Sequence, residues 1–218
     1  MTSRTGTDTD PERRAAGRPR DPGLEARVLA AALEVYADAG WSGFTFDTVA
    51  KRAAAGKAAL YRRWGNKEEL LLAALDAHAL AIEPIDTGNI HDDLLVVART
   101  LLTFHLDGSA GLAALRLFVE ARAHPELLSD AWAQVNSSRV RAARTIVHRA
   151  IERGELPRDT SASVLLNTVS GSVVSHLLAT PFGPGRDVDE HDGRFVTDVV
   201  DLVLRGARCR CAGPGCAP

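Results

Sequence analysis

This 218-residue chain contains only three cysteines. All three (Cys209, Cys211 and Cys216) lie in its last ten residues. The body of the chain therefore cannot hold a disulfide framework or a zinc site built on paired cysteines. A metal or redox site in the tail is the alternative, but the spacing there offers no fourth ligand. We expect residues 209–218, which are rich in Gly and Pro, to be a disordered tail with reduced thiols.

The sequence also lacks long hydrophobic runs and an excess of either charge. No apolar run reaches the roughly 18 residues of a membrane span, and Met1–Arg20 has no apolar segment typical of a signal peptide. The 26 Lys+Arg and 28 Asp+Glu residues give a net charge of -2, which excludes a bulk polycation but permits a local basic face. We therefore expect a cytoplasmic protein with no membrane partner.

Aromatic residues make up only 5% of the chain, whereas Ala and Leu are abundant. This composition favours helices over strands, so the expected fold class is all-α. Apolar residues recur at helical spacing, as in Leu24, Val28, Ala31 and Val35. The pattern predicts helices over residues 24–39, 46–53, 57–63, 67–82, 91–107, 110–123, 125–153, 160–180 and 189–206.

Two short helices with a tight break between them, at about residues 45–64, follow a longer predicted helix. This order is typical of a helix-turn-helix, which presents its second helix to the major groove of DNA. Thr45 has the residue type of an N-cap, but Thr48 is not the Glu or Gln of a capping box. Asn66 and Glu69 do match that motif, so the next helix is expected to begin there.

Several further stretches occur in a fixed order along the chain. They are AALEVYADAGW (31–41), FTFDTVAKRA (44–53), KAALYRRW (57–64), NKEEL (66–70), EARAHPEL (120–127), RAIERGEL (149–156) and DLVLRG (201–206). In these stretches the chain resembles the TetR family of one-component transcriptional regulators, and its C-terminal part resembles the actinobacterial branch of that family.

The resemblance implies a DNA-binding transcriptional regulator, most simply a ligand-responsive repressor that binds a near-palindromic operator as a homodimer. The chain is therefore expected to consist of four segments. They are a disordered basic arm (1–21), a helix-turn-helix DNA-binding domain with a linking helix (22–82), a ligand-binding and dimerisation domain (83–208) and the tail (209–218). The partners it implies are double-stranded DNA, a second copy of the chain and a small-molecule effector of unknown identity. It implies no cofactor, and the sequence contains no catalytic phosphate-loop, zinc-protease or serine-hydrolase motif.

The turn of the helix-turn-helix departs from the family pattern. Ala54, Ala55 and Gly56 stand where the family commonly has Gly-Val-Ser or Gly-Val-Thr, so the hydroxyl cap of the second helix is missing. Arg18 and Arg20 in the arm are expected to compensate by entering the minor groove, although a solvated charge cluster is the alternative. The residues expected to contact DNA are Arg18, Arg20, Thr45, Thr48, Lys57, Ala58, Tyr61, Arg62, Arg63 and Lys67.

The family analogy also points to an effector pocket and a dimer interface. The pocket candidates on the middle helices are Leu101, Phe104, His105, Arg116, Glu120, Trp132 and Asn136. Small residues on the helix at 160–180 would let two helices approach closely, with packing within one chain as the alternative. The interface candidates are Ser170, Gly171, Val174, Ser175, Val199, Leu202 and Val203.

Two other functions stay open at this point. One is a dimer of the same shape that binds a ligand or a partner but has weak or lost DNA specificity, as the altered turn suggests. The other is a small all-α enzyme. It has little support, because His91-Asp92-Asp93 and the acidic segment 187–192 do not have the spacing of known metal sites. We expect neither a metal site nor catalysis.

Overall fold

The computed structural model describes residues 23–78, 85–106, 108–125, 130–180 and 188–209, with the backbone alone of residues 130–136, 138 and 139. These residues form helices and no strand, which confirms the all-α prediction. Their nine helices are α1 (Leu24–Gly43), α2 (Phe46–Arg52), α3 (Lys57–Tyr61), α4 (Lys67–Ala77), α5 (Ile90–Leu106), α6 (Gly108–Glu120), α7 (Asp130–Glu152), α8 (Ala162–Ala179) and α9 (Glu190–Arg208).

The helices coincide with the predicted segments, with differences of a few residues at their ends. α3 stops at Tyr61 and α6 stops at Glu120, two and three residues earlier than predicted. The predicted arm, the tail beyond Cys209, the last part of the helix at 67–82 and the start of the helix at 125–153 lie outside the described residues.

One hydrophobic core joins α1, α2, α3 and α4. The apolar stripe of α1 predicted from its helical spacing faces this core, and Tyr36, Phe44 and Leu60 are fully buried in it. α6 adds Ala113 and Leu117 to the same core, and Ala121 follows directly after the helix. Small alanines let α6 approach α1 closely. The core of the predicted helix-turn-helix segment therefore includes a helix from the predicted C-terminal segment.

A second core joins α5, α7, α8 and α9. Its residues recur every four positions, for example Val169, Val173 and Leu177 on α8 and Val196 and Val200 on α9. This spacing places them on one face of each helix. The first core thus holds α1–α4 together with α6, and the second core holds α5, α7, α8 and α9.

Buried polar contacts fix the start of α5 against α7. Asp93 is fully buried, and its Oδ1 accepts hydrogen bonds from the Thr87 backbone N–H at 2.7 Å and the Thr87 hydroxyl at 2.8 Å. Its Oδ2 lies 3.5 Å from a guanidinium nitrogen of Arg153. Glu155 accepts from the Ile90 backbone N–H at 2.7 Å. These contacts give partners to the Thr87 and Ile90 backbone N–H groups and to Asp93 Oδ1, whereas Asp93 Oδ2 accepts no hydrogen bond from the described residues.

α8 is long and apolar enough to cross a membrane by length and composition, with a mean hydropathy of 1.4 over its 18 residues. The sequence prediction concerns an unbroken apolar run, and α8 contains polar residues such as Asn167, Ser170 and His176. The apolarity has another cause, because Leu165, Val169, Val173 and Leu177 pack into the second core. One such helix is weak evidence for a membrane span.

Candidate nucleic-acid interface

A reciprocal threonine pair begins α2. The Thr45 hydroxyl accepts from the Thr48 backbone N–H at 3.1 Å, and the Thr48 hydroxyl accepts from the Thr45 backbone N–H at 3.0 Å. The expectation that α2 lacks a capping box was therefore wrong, because a threonine oxygen serves in place of a carboxylate. Both hydroxyls are thus engaged within the chain, and their contact with DNA phosphate stays a prediction.

Replacing Thr45 with Ala is expected to lower the free energy of unfolding by about 1 kcal/mol, since the N-cap acceptor is lost. In thermal denaturation the midpoint should fall by roughly 2–4 °C. Thr45→Ser keeps the oxygen and is the matched control, which should unfold close to the wild-type temperature. Equal midpoints for all three proteins would show that the pair does not stabilise α2.

The turn after α2 closes with two backbone hydrogen bonds. The N–H of Ala55 donates to the carbonyl of Ala50 at 2.9 Å, and that of Ala54 donates to Lys51 at 3.3 Å. This is the Schellman pattern, in which the residue after the cap adopts a left-handed conformation. Ala54 does so with φ 49°. The turn therefore forms without the glycine that such a position favours.

Ala54→Gly is expected to raise the free energy of unfolding by about 0.5–1 kcal/mol, because glycine removes the Cβ strain of the left-handed conformation. Chemical denaturation should show a higher midpoint. Ala55→Gly is the control. Among the described non-glycine residues only Ala54 has a positive φ, so glycine at 55 should instead destabilise. A lower midpoint for Ala54→Gly would contradict this account of the turn.

α3 buries Leu60 and presents its other side chains to solvent. The Tyr61 ring is 54% exposed and packs on Phe46 with ring centroids 4.5 Å apart. Ala58 and Arg62 are also exposed, and no ion pair within the described part of the chain involves Arg62. The end of α3 therefore offers an aromatic ring and a guanidinium that could reach the edges of bases.

Two predicted DNA contacts form ion pairs within the chain. The Lys57 ammonium lies 2.8 Å from a carboxylate oxygen of Asp47, and this hydrogen bond raises the pKa of Lys57. Arg63 lies 2.6 Å from Glu25. Both pairs are exposed, so each is weak and can exchange its carboxylate for a phosphate. No sequence pattern indicates Asp47 as the partner of Lys57, because the two residues lie on different helices.

Lys67 begins α4 but is half-buried against Trp41. Its ammonium donates to the Trp41 carbonyl at 3.0 Å and lies 3.6 Å from the centroid of the Trp41 ring. An ammonium has three donors, so this contact leaves others for a phosphate. The predicted phosphate contact by Lys67 stays a prediction. Arg18 and Arg20 lie outside the described residues.

The predicted pocket residues fall in different places. Phe104 lines a cavity of about 330 Å³ with Leu33, His78 and Ala110, whereas Leu101 packs against the second core. Arg116 and Glu120 contact α1, and their contact with an effector stays a prediction. The side chains of Trp132 and Asn136 are not among those described.

His105 is half-buried, and its Nδ1 is hydrogen-bonded to the Leu101 carbonyl at 2.8 Å. Burial lowers the pKa of His105, an effect that the Leu101 carbonyl partly offsets. In the unfolded chain the imidazole keeps a pKa near about 6.5. At a pH between the pKa of the folded protein and that of the unfolded chain, the unfolded state binds more protons. The free energy of unfolding should therefore fall as the pH drops below the pKa of the unfolded imidazole.

The expected result is a lower melting temperature at pH 5.5 than at pH 7.5, with a smaller decrease in His105→Gln. His148 is exposed and serves as the control, so His148→Gln should show the wild-type decrease. The loss should level off below the lowered pKa of the folded protein. The same decrease in all three proteins would contradict a buried neutral His105.

The predicted dimer interface follows the outer faces of α8 and α9. Gly171, Ser175 and Leu202 are exposed, and Leu202 keeps 69% of its surface accessible. Val203 is partly buried against the second core, and the Ser170 hydroxyl donates to the Leu166 carbonyl. Val174 and Val199 are intermediate in exposure. The structure thus leaves three of the seven candidates exposed and four partly buried, and their role in dimerisation stays a prediction.

Two family models match this chain. Residues 28–74 match "Bacterial regulatory proteins, tetR family", and residues 84–203 match "Tetracyclin repressor-like, C-terminal domain". The chain belongs to the TetR family. It is therefore a DNA-binding transcriptional regulator of the helix-turn-helix type, which confirms the resemblance drawn from its sequence.

Relatives and solved structures of the TetR family are similar to this chain over most of its length. The DNA-binding transcriptional repressor TetR of Mycobacteroides abscessus is 35% identical over 84% of this chain and 95% of its own length. The regulator AqdR of Rhodococcus erythropolis is 33% identical over 80% of this chain and 84% of its own. The crystal structure of the TetR family regulator SCO0332 is 28% identical, covers 84% of this chain and 98% of that chain, and has a TM-score of 0.57.

Proposed function

We propose that this TetR family protein is a ligand-responsive repressor that binds DNA as a dimer through α3. The observation that carries the proposal is the exposed side of α3, where Tyr61 and Arg62 project beyond a buried Leu60. In each subunit α3 enters the major groove, and Arg62 contacts base edges as arginine commonly does with guanine. The two half-sites lie one helical turn apart, ~34–36 Å, or a multiple of it.

Phosphate contacts position α3 in this proposal. Lys67 stands at the start of α4 and Thr45 at the start of α2, where backbone N–H groups also favour an anion. Arg18 and Arg20 extend the contact into the minor groove of A·T-rich flanking DNA. Lys57 exchanges its pair with Asp47 for a phosphate or a base. The basic groups thus contribute most of the affinity, and Arg62 contributes sequence preference.

The dimer forms through a surface that we call the dimer face: Val164, Thr168, Gly171, Ser175 and Leu178 on α8, and Phe195, Val199, Leu202 and Gly206 on α9. Successive members are separated by three or four residues, which is the spacing of helices that pack as a four-helix bundle. Val164 and Leu178 keep 65% and 68% of their surfaces accessible. Exposed apolar side chains grouped on one face favour self-association.

The effector is a small molecule that binds among the middle helices, where Phe104 already borders a cavity. Ligand binding shifts the protein between two arrangements of its DNA-binding units, and the shift is limited by the difference in affinity for the two. The protein acts in the cytoplasm, where its DNA is. Its relatives are regulators rather than enzymes, and we propose no catalytic activity.

The test is a selection of genomic DNA fragments on the purified protein, followed by titration of a selected fragment and a scrambled copy at two salt concentrations. The proposal expects tight, salt-sensitive binding to the selected fragment and weak binding to the scrambled copy. Arg18→Ala and Lys67→Ala should each weaken binding to both and reduce the salt slope by roughly 0.9 per lost phosphate contact. Failure to enrich any sequence would overturn the proposal.

Sedimentation tests the dimer. Leu202→Arg places a charge on the dimer face and should shift the protein to monomer, whereas Val140→Arg, an exposed change on α7, should leave the dimer intact. An intact dimer for Leu202→Arg would show that the interface does not include the dimer face.

Two observations favour a second function. The turn holds a strained Ala54, and the α3 N-terminus at Gly56 has no side-chain cap. Both weaken the placement of α3 and would suit a dimer that binds a ligand or a partner with little DNA specificity. Equal, weak binding to the selected and scrambled fragments, together with an intact dimer, would favour this function.

A further inference from the structure

α1 is interrupted at Gly40, close to its C-terminal end. Gly40 has φ 65° and ψ -170°, a backbone conformation that is essentially restricted to glycine. The regular part of α1 therefore ends there, and Trp41 begins a new, short turn. The break leaves carbonyl groups on one side and a backbone N–H group on the other without their usual helical partners.

Two side chains of α6 contact the two sides of this break. Arg116 donates from Nη1 to the Tyr36 carbonyl at 3.4 Å, and Glu120 accepts from the Trp41 backbone N–H at 2.8 Å. The cation thus faces the negative end of the first helical part, and the carboxylate faces the positive end of the next turn. Arg116 and Glu120 are four residues apart, so both lie on the same face of α6.

The space around Gly40 is filled by the same two groups. A Cβ at this position would lie 2.8 Å from Arg116 Nη1 and would overlap the Glu120 carboxylate. Beneath them Tyr36 is fully buried, and burial together with the negative charge of Glu120 raises its pKa. The carboxylate therefore occupies a defined position, which only glycine at 40 permits.

Trp41 connects this contact to the DNA-binding surface. Its carbonyl and its ring hold the Lys67 ammonium at 3.0 Å and 3.6 Å respectively, while its own N–H is held by Glu120. We propose that Glu120 is a positioning residue for DNA binding: by fixing the backbone of Trp41, it fixes the ammonium of Lys67 where a DNA phosphate is bound. Glu120 does not contact the DNA. This inference rests on the proposed function, since it assumes that Lys67 meets a phosphate.

The test compares the affinity and the salt slope of variants on the selected DNA fragment. Glu120→Ala should bind about tenfold more weakly, the effect of one lost hydrogen bond to a charged group, with the reduced salt slope of Lys67→Ala. Glu120→Gln keeps an acceptor oxygen and should bind within about twofold of the wild type. Loss of a negative charge alone strengthens binding to a polyanion, so weaker binding of Glu120→Ala has the opposite sign to a net-charge effect.

Two further variants separate positioning from folding. Glu120→Asp keeps the charge on a shorter side chain that does not reach Trp41. It should show the weaker binding and the reduced salt slope expected of Glu120→Ala, and it replaces that variant in the test if Glu120→Ala fails to fold. Glu190→Ala removes an exposed carboxylate from α9, distant in sequence from the break. It should bind at least as tightly as the wild type, with the wild-type salt slope.

The double variant Glu120→Ala/Lys67→Ala gives the decisive comparison. If Glu120 acts through Lys67, the double variant binds no more weakly than Lys67→Ala. Additive losses, or wild-type affinity and salt slope for Glu120→Ala and Glu120→Asp, would overturn the inference while leaving the proposed function intact. A wild-type protein that binds no DNA sequence would overturn both.

Discussion

Replacing Asp93 with alanine is expected to lower the free energy of unfolding by about 3 kcal/mol, one of the two largest effects expected in this chain. Asp93 is fully buried and accepts two hydrogen bonds from Thr87. Its removal takes the acceptor from the Thr87 backbone N–H and hydroxyl, whereas Arg153 keeps its ion pairs with Asp86 and Glu155. The loss is costly because hydrogen bonds to a charged acceptor are among the stronger ones in proteins.

Thermal denaturation measures this effect, and the midpoint should fall by roughly 10 °C in a chain of this size. Asp92→Ala is the matched control. Asp92 is the neighbouring exposed aspartate, bonded to the Asn89 side chain, and its loss should cost under about 1 kcal/mol. Similar midpoints for the two variants would show that the buried contacts of Asp93 do not hold the start of α5.

The second large effect is expected for Gly40→Ala. The backbone conformation of Gly40 alone costs a residue with a Cβ about 1–3 kcal/mol, and the new methyl group also displaces the Glu120 carboxylate. We expect a loss of about 2–3 kcal/mol in chemical denaturation. Gly193→Ala is the control, because a Cβ there has open space and alanine favours a helix. A Gly40→Ala protein as stable as the wild type would mean that the break in α1 relaxes without cost.

Sequence reasoning located the helices and the DNA-binding unit for a physical reason. Helical spacing of apolar residues is a local signal, and α1 shows it over several turns. The break at Gly40 was predicted as a helix end, because glycine commonly follows a helix C-terminus. The Thr45–Thr48 cap was missed because the expected motif names only Glu or Gln as the returning group, and a threonine oxygen accepts the same hydrogen bond.

The long-range polar contacts left no trace in the sequence pattern. Arg153 is 60 positions from Asp93, and Glu120 is 79 positions from Trp41. Neither pair has a periodicity that could reveal it. For the same reason, the sequence pattern places Arg116 and Glu120 among the pocket candidates without indicating their contacts with α1. Those contacts depend on tertiary packing, and the role of the two residues in an effector pocket stays a prediction.

The most direct test of the account measures the preference for the selected DNA fragment over its scrambled copy, in the wild type and in Arg62→Ala. The account predicts that the ratio of the two affinities falls about 10- to 100-fold in Arg62→Ala, because a base contact is lost. Arg141→Ala, an exposed change on α7, should keep the wild-type ratio. An unchanged ratio in Arg62→Ala, or an equal decrease in Arg141→Ala, would contradict recognition of DNA by the exposed end of α3.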